Sequence, residues 1–285
     1  MKLRKRVLAA VLGAISIVSL SACNGGGGGI NPFTPSRGTL RFINGSPDAG
    51  PVDVAIGGPN STSPNWTGVP YAGGAQAAGV PNPGITSYIQ FNAPTQSIFI
   101  YNNATHGQIS VPQTSITITP NGRTTVVLTG SVTNKTARLV TFNEHLFQTV
   151  ANSASVSFHH ASVQFITTKF NVGDQKAGPN DSTSCASGFA IIPPPILFGP
   201  PIAFQEGLPQ SVASTGIQFC AQSQADPTLI LTLRPFDVDA SNTGNVMPFT
   251  GGTSVNSDQN LSIYLIDGPA STGKPVLVGV FDPNH

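Results

Sequence analysis

Turns rich in glycine, proline and asparagine divide this chain into short segments, and this pattern constrains the fold more than any other feature. The chain contains 31 Gly and 25 Pro, which leaves no room for long helices. Between the turns, apolar and polar residues alternate with the two-residue period of half-buried strands. No segment shows a convincing 3.6-residue period. The sequence therefore predicts an all-β protein.

The candidate strands fall into two sets along the chain, and their number and spacing predict antiparallel β-sandwiches. The strands of the first set are Thr39–Asn44, Val52–Ile56, Ser87–Phe91, Ser97–Tyr101, Ser115–Thr119, Thr124–Gly130 and Ala137–Asn143. Those of the second set are Ser155–His160, Thr167–Val172, Gly216–Ala221, Thr228–Arg234, Leu261–Ile266 and Val276–Phe281.

The two sets resemble each other in sequence. The stretch "LRFINGSPDAGPVDVAIG" (40–57) aligns without a gap on "VSFHHASVQFITTKFNVG" (156–173). The aligned identities include Phe42 with Phe158, Ser46 with Ser162, and Gly57 with Gly173. Each half is long enough to bury a core of its own. We therefore predict two tandem sandwich domains, at residues 38–150 and 151–285.

Residues 1–22 have the pattern of an export signal. Four basic residues precede an apolar run, Val7 to Leu20, that is too short to span a bilayer. The tetrad Leu20-Ser21-Ala22-Cys23 resembles the lipobox of bacterial lipoproteins. That resemblance implies that Cys23 is acylated and becomes the first residue of the mature chain. An ordinary secretory signal with an incidental cysteine is the alternative.

Residues 23–37, which begin "CNGGGGG", predict a flexible tether between the lipid and the first domain. By the known sorting rule for lipoproteins, Asn24 favours the outer membrane of a bacterial cell envelope. Removing residues 1–22 leaves nine basic residues against 12 acidic ones, a formal charge of −3. This charge gives no basic face with which to bind nucleic acid.

The remaining cysteines, Cys185 and Cys220, predict a disulfide because an exported chain folds in an oxidising compartment. Two buried free thiols are the alternative. No cluster of cysteine and histidine has the spacing of a metal site, and no motif requires a cofactor.

The stretch "RFINGSPDAGPVDVAIGG" resembles the opening signature of a bacterial family, domain of unknown function 4397, whose usual form is R-F-x-H-A-S-P-D-A-P-x-V-D-V-x-x-x-G. The residues in the expected places are Arg41, Phe42, Ser46, Pro47, Asp48, Ala49, Val52, Asp53, Val54 and Gly57. Asn44-Gly45 stands where the family pattern has His-Ala. The second repeat has the His-Ala-Ser of the pattern, at His160-Ala161-Ser162. The resemblance covers residues 38–143 and is faint from 155 to 282. It implies an immunoglobulin-like or transthyretin-like sandwich on an envelope protein, with no activity attached.

The signature is also explained by turn chemistry alone. Pro47 suits the second position of a turn, and Ser46 or Asp48 can bond nearby backbone N–H groups. The alternative is that Asp48 and Asp53 form a cation or sugar site, and the turn is the favoured interpretation.

Two other loops resemble ligand-binding motifs. "GPASTGKP" (268–275) approaches the phosphate-binding loop, but Pro275 supplies no hydroxyl and a strand follows, so a hairpin turn is expected. "DVDASNTGN" (237–245) offers Asp237, Asp239 and Asn242 as calcium ligands without a closing glutamate.

His159-His160 and Glu144-His145 could bind a transition metal if they converged. Adjacent residues of a strand point to opposite faces, so His159 and His160 are interpreted instead as solvated or core-edge histidines.

The segment "FAIIPPPILFGPPIAF" (189–204) lies between the two paired cysteines and is strongly apolar. Its prolines favour a stiff, extended loop outside any central strand. The candidate interaction residues are Ile191, Ile192, Pro194, Ile196, Leu197 and Phe198. The loop either offers them to a partner or to the membrane surface, or it is buried as a lid over its own sandwich or between the domains. Burial is favoured because soluble proteins rarely expose large apolar patches.

No catalytic constellation is visible in the sequence. We therefore expect a lipid-anchored, non-enzymatic envelope protein that acts as a binding or structural module, with a protein or polysaccharide partner. A simple spacer is a further possibility. The rival class is an envelope enzyme acting on glycans through spatially paired carboxylates such as Asp237, Asp239 and Asp267.

Overall fold

A computed structural model describes residues 37–60, 63–74, 82–92, 94–144, 155–176, 185, 189–199, 202–204, 217–233 and 259–283. Every regular element in these ranges is a β-strand, so the protein is all-β as predicted. The predicted signal peptide, Cys23 and most of the predicted tether lie outside these ranges, as does the predicted domain boundary at residue 150. None of the described residues belongs to a helix long and apolar enough to cross a membrane.

The described residues up to Glu144 form eight strands. They are β1 (Arg37–Asn44), β2 (Val52–Ile56), β3 (Trp66–Val69), β4 (Ile89–Asn92), β5 (Thr95–Asn102), β6 (Ser115–Thr117), β7 (Arg123–Thr129) and β8 (Arg138–Glu144). The strands of the second half are β9 (Ser155–His160), β10 (Phe170–Lys176), β11 (Ala190–Ile196), β12 (Ile202–Phe204), β13 (Ile217–Ser223), β14 (Ile230–Leu233), β15 (Gln259–Ile266) and β16 (Val276–Pro283).

The strands form four sheets of four strands each. The first sandwich consists of outer sheet 1, in the order β3-β2-β5-β6, and inner sheet 1, in the order β4-β1-β7-β8. The second sandwich consists of inner sheet 2, in the order β12-β9-β15-β16, and outer sheet 2, in the order β11-β10-β13-β14. Among the described residues, no ladder joins a strand of one sandwich to a strand of the other.

Both inner sheets contain one parallel pair, which the predicted antiparallel sandwiches do not include. β1 pairs with β7 in parallel, and β15 pairs with β9 in the same way. The next strand in the chain, β2, belongs to the outer sheet and does not pair with β1. The parallel partner of β1 is instead β7, a strand much later in the sequence. Since β9 behaves as β1 does, the topology agrees with the internal repeat seen in the sequence.

Each sandwich has its own apolar core. The first core contains Leu40, Phe42, Val54 and Ile100 among others, and the second contains Phe158, Phe170, Phe219 and Ile263 among others. Burial of such side chains contributes about 1.5–3 kcal/mol each.

A third apolar cluster lies between the two inner sheets and joins the sandwiches face to face. It contains Ile43, Val127 and Phe142 of inner sheet 1, and Tyr264, Ile266 and Val278 of inner sheet 2. In β1, Leu40 and Phe42 face the first core while Arg41 and Ile43 face the second sandwich, because alternate residues of a strand point to opposite faces. The described chain is thus a stack of four β-layers whose two middle sheets are buried on both faces.

Candidate functional site: the interface between the two sandwiches

The interface between the inner sheets contains a cluster of charged and polar side chains at its centre. Arg41 of β1 is 1% exposed and Glu144 of β8 is 4% exposed at the side chain. His159 of β9 and Tyr264 of β15 meet them from the second sandwich and are equally buried. Buried charges are tolerated only when they are paired and hydrogen-bonded, so the partners of each group decide what the cluster can do.

Arg41 is held by both sandwiches. Its Nε donates to Thr125 Oγ1 at 2.9 Å, and its Nη2 donates to the Tyr264 hydroxyl at 2.6 Å. Nη2 also lies 3.6 Å from Glu144 Oε1. The guanidinium carbon sits 4.7 Å from the centre of the Tyr88 ring, a cation–π contact. The cation of the family signature is therefore an interface residue.

Glu144 receives donors on both of its oxygens. The Tyr264 hydroxyl donates to Oε1, and the Ser262 hydroxyl donates to Oε2 at 3.2 Å. His159 Nε2 lies 3.3 Å from Oε2. Burial by itself would raise the pKa of Glu144, but His159 and Arg41 hold that pKa well below its usual range. The carboxylate is thus a stable anion and is poorly suited to act as a general acid.

The His159 ring contacts two aromatic rings and a serine hydroxyl. Its ring stacks on the Tyr264 ring, with centroids 4.7 Å apart and an angle of 15° between the planes. Phe142 meets the same ring edge-on at 4.8 Å. Ser157 Oγ lies 2.9 Å from Nε2. Burial and the adjacent carboxylate raise the pKa of Tyr264 well above its ordinary value, so its hydroxyl stays protonated and can donate to Glu144.

Asp267, directly after β15, forms a second polar centre in the interface. Its Oδ2 accepts from Thr129 Oγ1 at 2.8 Å and from the Gly130 N–H at 2.6 Å, both in the first sandwich. Its Oδ1 accepts from Ser162 Oγ at 2.6 Å and from the Gln164 N–H at 2.8 Å, both in the second. One carboxylate therefore joins a loop of each sandwich.

The rival enzymatic interpretation relied on Asp267, and its surroundings count against that role. The side chain is buried and receives four donors, which leaves no lone pair facing a substrate. Asp237 and Asp239, its suggested partners, lie outside the described residues, as does the candidate calcium loop 237–245.

The signature turn has the structural role that turn chemistry predicts. Asp48 accepts hydrogen bonds from Ser131 Oγ at 2.6 Å and from the N–H groups of Val132 and Thr133. Partial burial would raise its pKa, but these donors lower it to about 2. Ser46 Oγ donates to the Gly130 carbonyl at 2.6 Å. The turn thus fixes the loop between β7 and β8.

Asp53, the other acidic residue of the signature, accepts hydrogen bonds from a different set of residues than Asp48 does. Its Oδ1 accepts from the Gly68 N–H at 2.7 Å and from Asn103 Nδ2 at 2.8 Å. The exposed imidazole of His106 lies 3.8 Å from Oδ2. Asp48 and Asp53 therefore bind separate loops and do not share a ligand.

The two adjacent histidines point to opposite faces of β9, as their strand position predicts. His159 faces Glu144, whereas His160 packs edge-on against Phe170 and Phe198. Neither is solvated or at the core edge, because both are fully buried. His145 lies outside the described residues, in which no group of three or more His, Cys, Asp or Glu is arranged to hold a metal.

The phosphate-loop-like sequence at 268–275 is a hairpin turn, as expected. It joins β15 to β16, which pair antiparallel from Ile266–Val276 to Gln259–Pro283. The N–H groups of Thr272 and Gly273 donate to the Pro269 carbonyl and so close the turn.

A disulfide joins Cys185 to Cys220, with Cα atoms 5.9 Å apart. The apolar segment between them differs from the predicted loop. Residues 190–196 form β11, the edge strand of outer sheet 2, whose one pairing partner among the described strands is β10. An edge position has one free side, which is why this strand can contain three consecutive prolines.

The six candidate interaction residues therefore have mixed environments. Ile196 is buried in the second core, and Phe198 packs against His160. Ile191 and Leu197 are 50% and 46% exposed, and Pro194 is also exposed. The side chain of Ile192 lies outside what the structure describes. An interaction role for the exposed members stays a prediction.

Sequence reasoning did not identify Arg41, Thr125 and Tyr264 as a cluster. A signal was available, because "TTVVLT" and "LSIYLI" have apolar residues on both faces of the strand and polar residues among them. Strands of this kind are buried on both sides, where a polar side chain must find a buried partner.

Comparison with solved structures gives matches of low sequence identity, three of which are as follows. Family 41 carbohydrate-binding modules from streptococcal virulence factors match at 13% identity and a TM-score of 0.20, over 66% of this chain and 81% of theirs. A family CBM26 module of Eubacterium rectale Amy13K matches at 11% sequence identity and a TM-score of 0.21, over 87% of this chain and 97% of the module. The tip fimbrial protein Mfa3 of Porphyromonas gingivalis matches at 8% sequence identity and a TM-score of 0.22, over 87% of this chain and 99% of Mfa3. No curated protein matches the sequence. Residues 38–166 match the sequence model of DUF4397, a domain of unknown function.

Proposed function

We propose that this chain, which belongs to the family DUF4397 through residues 38–166, is a non-enzymatic binding or structural module held by lipid in a bacterial cell envelope. It presents a rigid stack of two β-sandwiches on a glycine-rich tether. Its partner is a protein or a polysaccharide of the envelope or its surroundings.

The observation that supports the non-enzymatic part is the burial of the central polar groups. Arg41, Glu144, Tyr264 and Asp267 are buried and bond to one another, to His159 or to adjacent loops. The His159 ring is also buried, between Phe142 and Tyr264, and its Nδ1 has no hydrogen-bond partner among the described residues. Catalysis needs groups that reach a substrate, and these groups instead hold the two sandwiches together.

The lipid anchor is supported by the resemblance of Leu20-Ser21-Ala22-Cys23 to the lipobox. Acyl chains contribute about 0.8 kcal/mol per buried CH₂, and two or more anchor a protein stably. The tether after Cys23 would span roughly 20 Å as a flexible coil and up to about 45 Å when stretched. This length lets the folded stack clear the lipid headgroups.

Fractionation of Cys23→Ala tests the anchor. The wild-type chain is expected in the membrane fraction and the variant in the soluble fraction, with Cys185→Ala/Cys220→Ala as the control that keeps the lipobox. Continued membrane retention of Cys23→Ala would overturn the lipid anchor. Release of labelled product from envelope polysaccharide by the purified chain would overturn the non-enzymatic part.

A further inference from the structure

We propose that Trp66 and Phe91, with the amide side chains around them, form a binding site for a neutral sugar chain. The proposal rests on the proposed function as a binding module and names its ligand class. The site lies on one side of the first sandwich and is separate from the buried interface.

The two rings close the open side of the first sandwich. Trp66 belongs to β3 and Phe91 to β4, the end strands of outer sheet 1 and inner sheet 1. Their centroids are 6.0 Å apart and their planes meet at 58°. Both rings pack on the first core yet remain partly exposed, whereas Phe42, Phe142 and Phe158 are fully buried. The side of the sandwich therefore presents an angled aromatic surface to solvent.

A β-bulge directs Trp66 to this position. The register of β3 against β2 shifts between the pairs Val52–Val69 and Val54–Trp66. Gly68, inside the bulge, has a φ of +63°, a conformation that favours glycine. Its N–H donates to Asp53 Oδ1 at 2.7 Å. The buried Asp53 of the signature thus stabilises the bulge and acts as a positioning residue for Trp66.

Two amide side chains lie on the segments next to the rings. Asn65, which directly precedes Trp66, accepts the Ile56 N–H on its Oδ1 at 2.6 Å, and its NH₂ group is a donor. Gln96 Nε2 donates to the Asn92 carbonyl, next to Phe91, at 2.7 Å, and its Oε1 is an acceptor. Gln90 and Asn92 alternate with Phe91 along β4, so they point to the opposite face of the strand and do not contribute. Sugar hydroxyls need both donors and acceptors.

The charge of the surface selects among ligand classes. The segments 63–69 and 89–96 contain no acidic residue and no lysine or arginine. The lack of carboxylates disfavours a cation as the ligand, and the lack of basic side chains disfavours a phosphorylated or polyanionic chain. An aromatic face packs against the C–H face of a pyranose ring while amides bond its hydroxyls, so a neutral glycan fits best.

Intrinsic fluorescence gives a direct test, because Trp66 is the one tryptophan in the chain. The mature chain with Cys23→Ala is titrated with maltohexaose, cellohexaose, chitohexaose and mannohexaose, and with a sulfated heparin hexasaccharide as the charged probe. We expect a saturable shift of the Trp66 emission with at least one neutral probe and none with heparin. Absence of a shift with all neutral probes would overturn the proposal, as would a response to heparin alone.

Variants separate binding from folding. Trp66→Ala is expected to weaken binding at least tenfold by calorimetry. Asp53→Ala, which removes the acceptor of the Gly68 N–H, is expected to shift the Trp66 emission without sugar and to weaken binding severalfold. Phe165→Ala, a partly buried aromatic of the second sandwich, is the matched control and should bind as the wild type does. If Trp66→Ala fails to fold, Asn65→Ala/Gln96→Ala, which removes the two amide groups of the site, should weaken binding instead, and Gln90→Ala/Asn92→Ala, on the opposite face of β4, should not.

The outcomes distinguish this site from the proposed function. Equal retention of the wild-type and Trp66→Ala chains on insoluble polysaccharide would overturn the site and leave the binding module standing. A protein partner whose capture is unaffected by Trp66→Ala, without any sugar response, would do the same. Failure of the Cys23 fractionation would overturn the anchor without affecting the sugar titration.

Discussion

The hydroxyl of Tyr264 lies 2.6 Å from Nη2 of Arg41, and this contact joins the two sandwiches across 223 positions of the sequence. The same hydroxyl donates to Glu144, so a residue of the second sandwich completes an ion pair of the first. Because a buried ion pair is stable only when its remaining hydrogen-bonding groups are satisfied, this contact makes the stacking of the two sandwiches specific.

Tyr264→Phe should destabilise the chain. The substitution keeps the ring and its stacking but leaves Arg41 and Glu144 each short of one partner inside the interface, which costs about 1–3 kcal/mol. Urea denaturation of the mature chain measures the loss. Tyr101→Phe, a buried tyrosine of the first sandwich, is the matched control and should stay within about 0.5 kcal/mol of the wild type. Equal stability of Tyr264→Phe and the wild type would contradict the role of the hydroxyl.

Stability should fall as the pH is lowered from about 6.5 to about 4. Burial lowers the pKa of His160 from 6.5 to about 4, so the unfolded chain binds more protons than the folded chain in this window. The contribution is complete above pH 6.5 and lost below pH 4, about 3 kcal/mol in all. Denaturation at several pH values measures the slope. In His160→Asn, whose Oδ1 can replace Nδ1 as the acceptor of the Ser162 N–H, this slope should disappear.

Asp267→Asn should loosen the loops that Asp267 joins. An amide has one accepting oxygen, so the donors on the other side lose their acceptor, at a cost of about 1–3 kcal/mol. The affected pair is either Thr129 with Gly130 or Ser162 with Gln164. Amide hydrogen exchange should accelerate at Gly130 or Gln164. Asp226→Asn, an exposed turn residue bonded to Thr228, is the control, and unchanged exchange at both amides in Asp267→Asn would refute the prediction.

Loss of the Cys185–Cys220 disulfide should destabilise the chain by about 3–4 kcal/mol, the chain-entropy value for a loop of this length. The sequence separation is 35 residues. Cys185→Ala/Cys220→Ala is compared with the wild type in urea, with and without reductant. Reductant should weaken the wild type to the level of the variant and leave the variant unchanged. A wild type insensitive to reductant under denaturing conditions would show that the bond does not form.

Local patterns predicted most strands and turns of this fold from the sequence. The alternation of apolar and polar residues predicted the strands. The turn-forming residues of 46–50 and 268–275 predicted the signature turn and the hairpin. β3, β11 and β12 were not predicted. Gly68 and the bulge interrupt the alternation of β3, and the prolines of β11 are tolerated only because it forms an edge, a tertiary fact that local patterns do not contain.

The polar interface could be predicted less well than the strands. That Arg41 was part of a signature was visible, but its partners depend on how two inner sheets stack. The stacking is set by side chains such as Phe142 and Ile266 that meet only in the folded chain. The turn interpretation of Asp48 agrees with its bonds to the N–H groups of Val132 and Thr133, whereas Asp53 lies in β2 and accepts from the Gly68 N–H.

The central claim is that the two sandwiches form one unit locked by Arg41, Glu144, His159 and Tyr264. Hydrogen exchange with mass spectrometry across a urea series tests it, with peptides from β5 reporting the first sandwich and peptides from β14 the second. In the wild type we expect both to lose protection at the same urea concentration, and in Glu144→Gln at two different concentrations. Separate transitions in the wild type, unchanged by Glu144→Gln, would contradict the account.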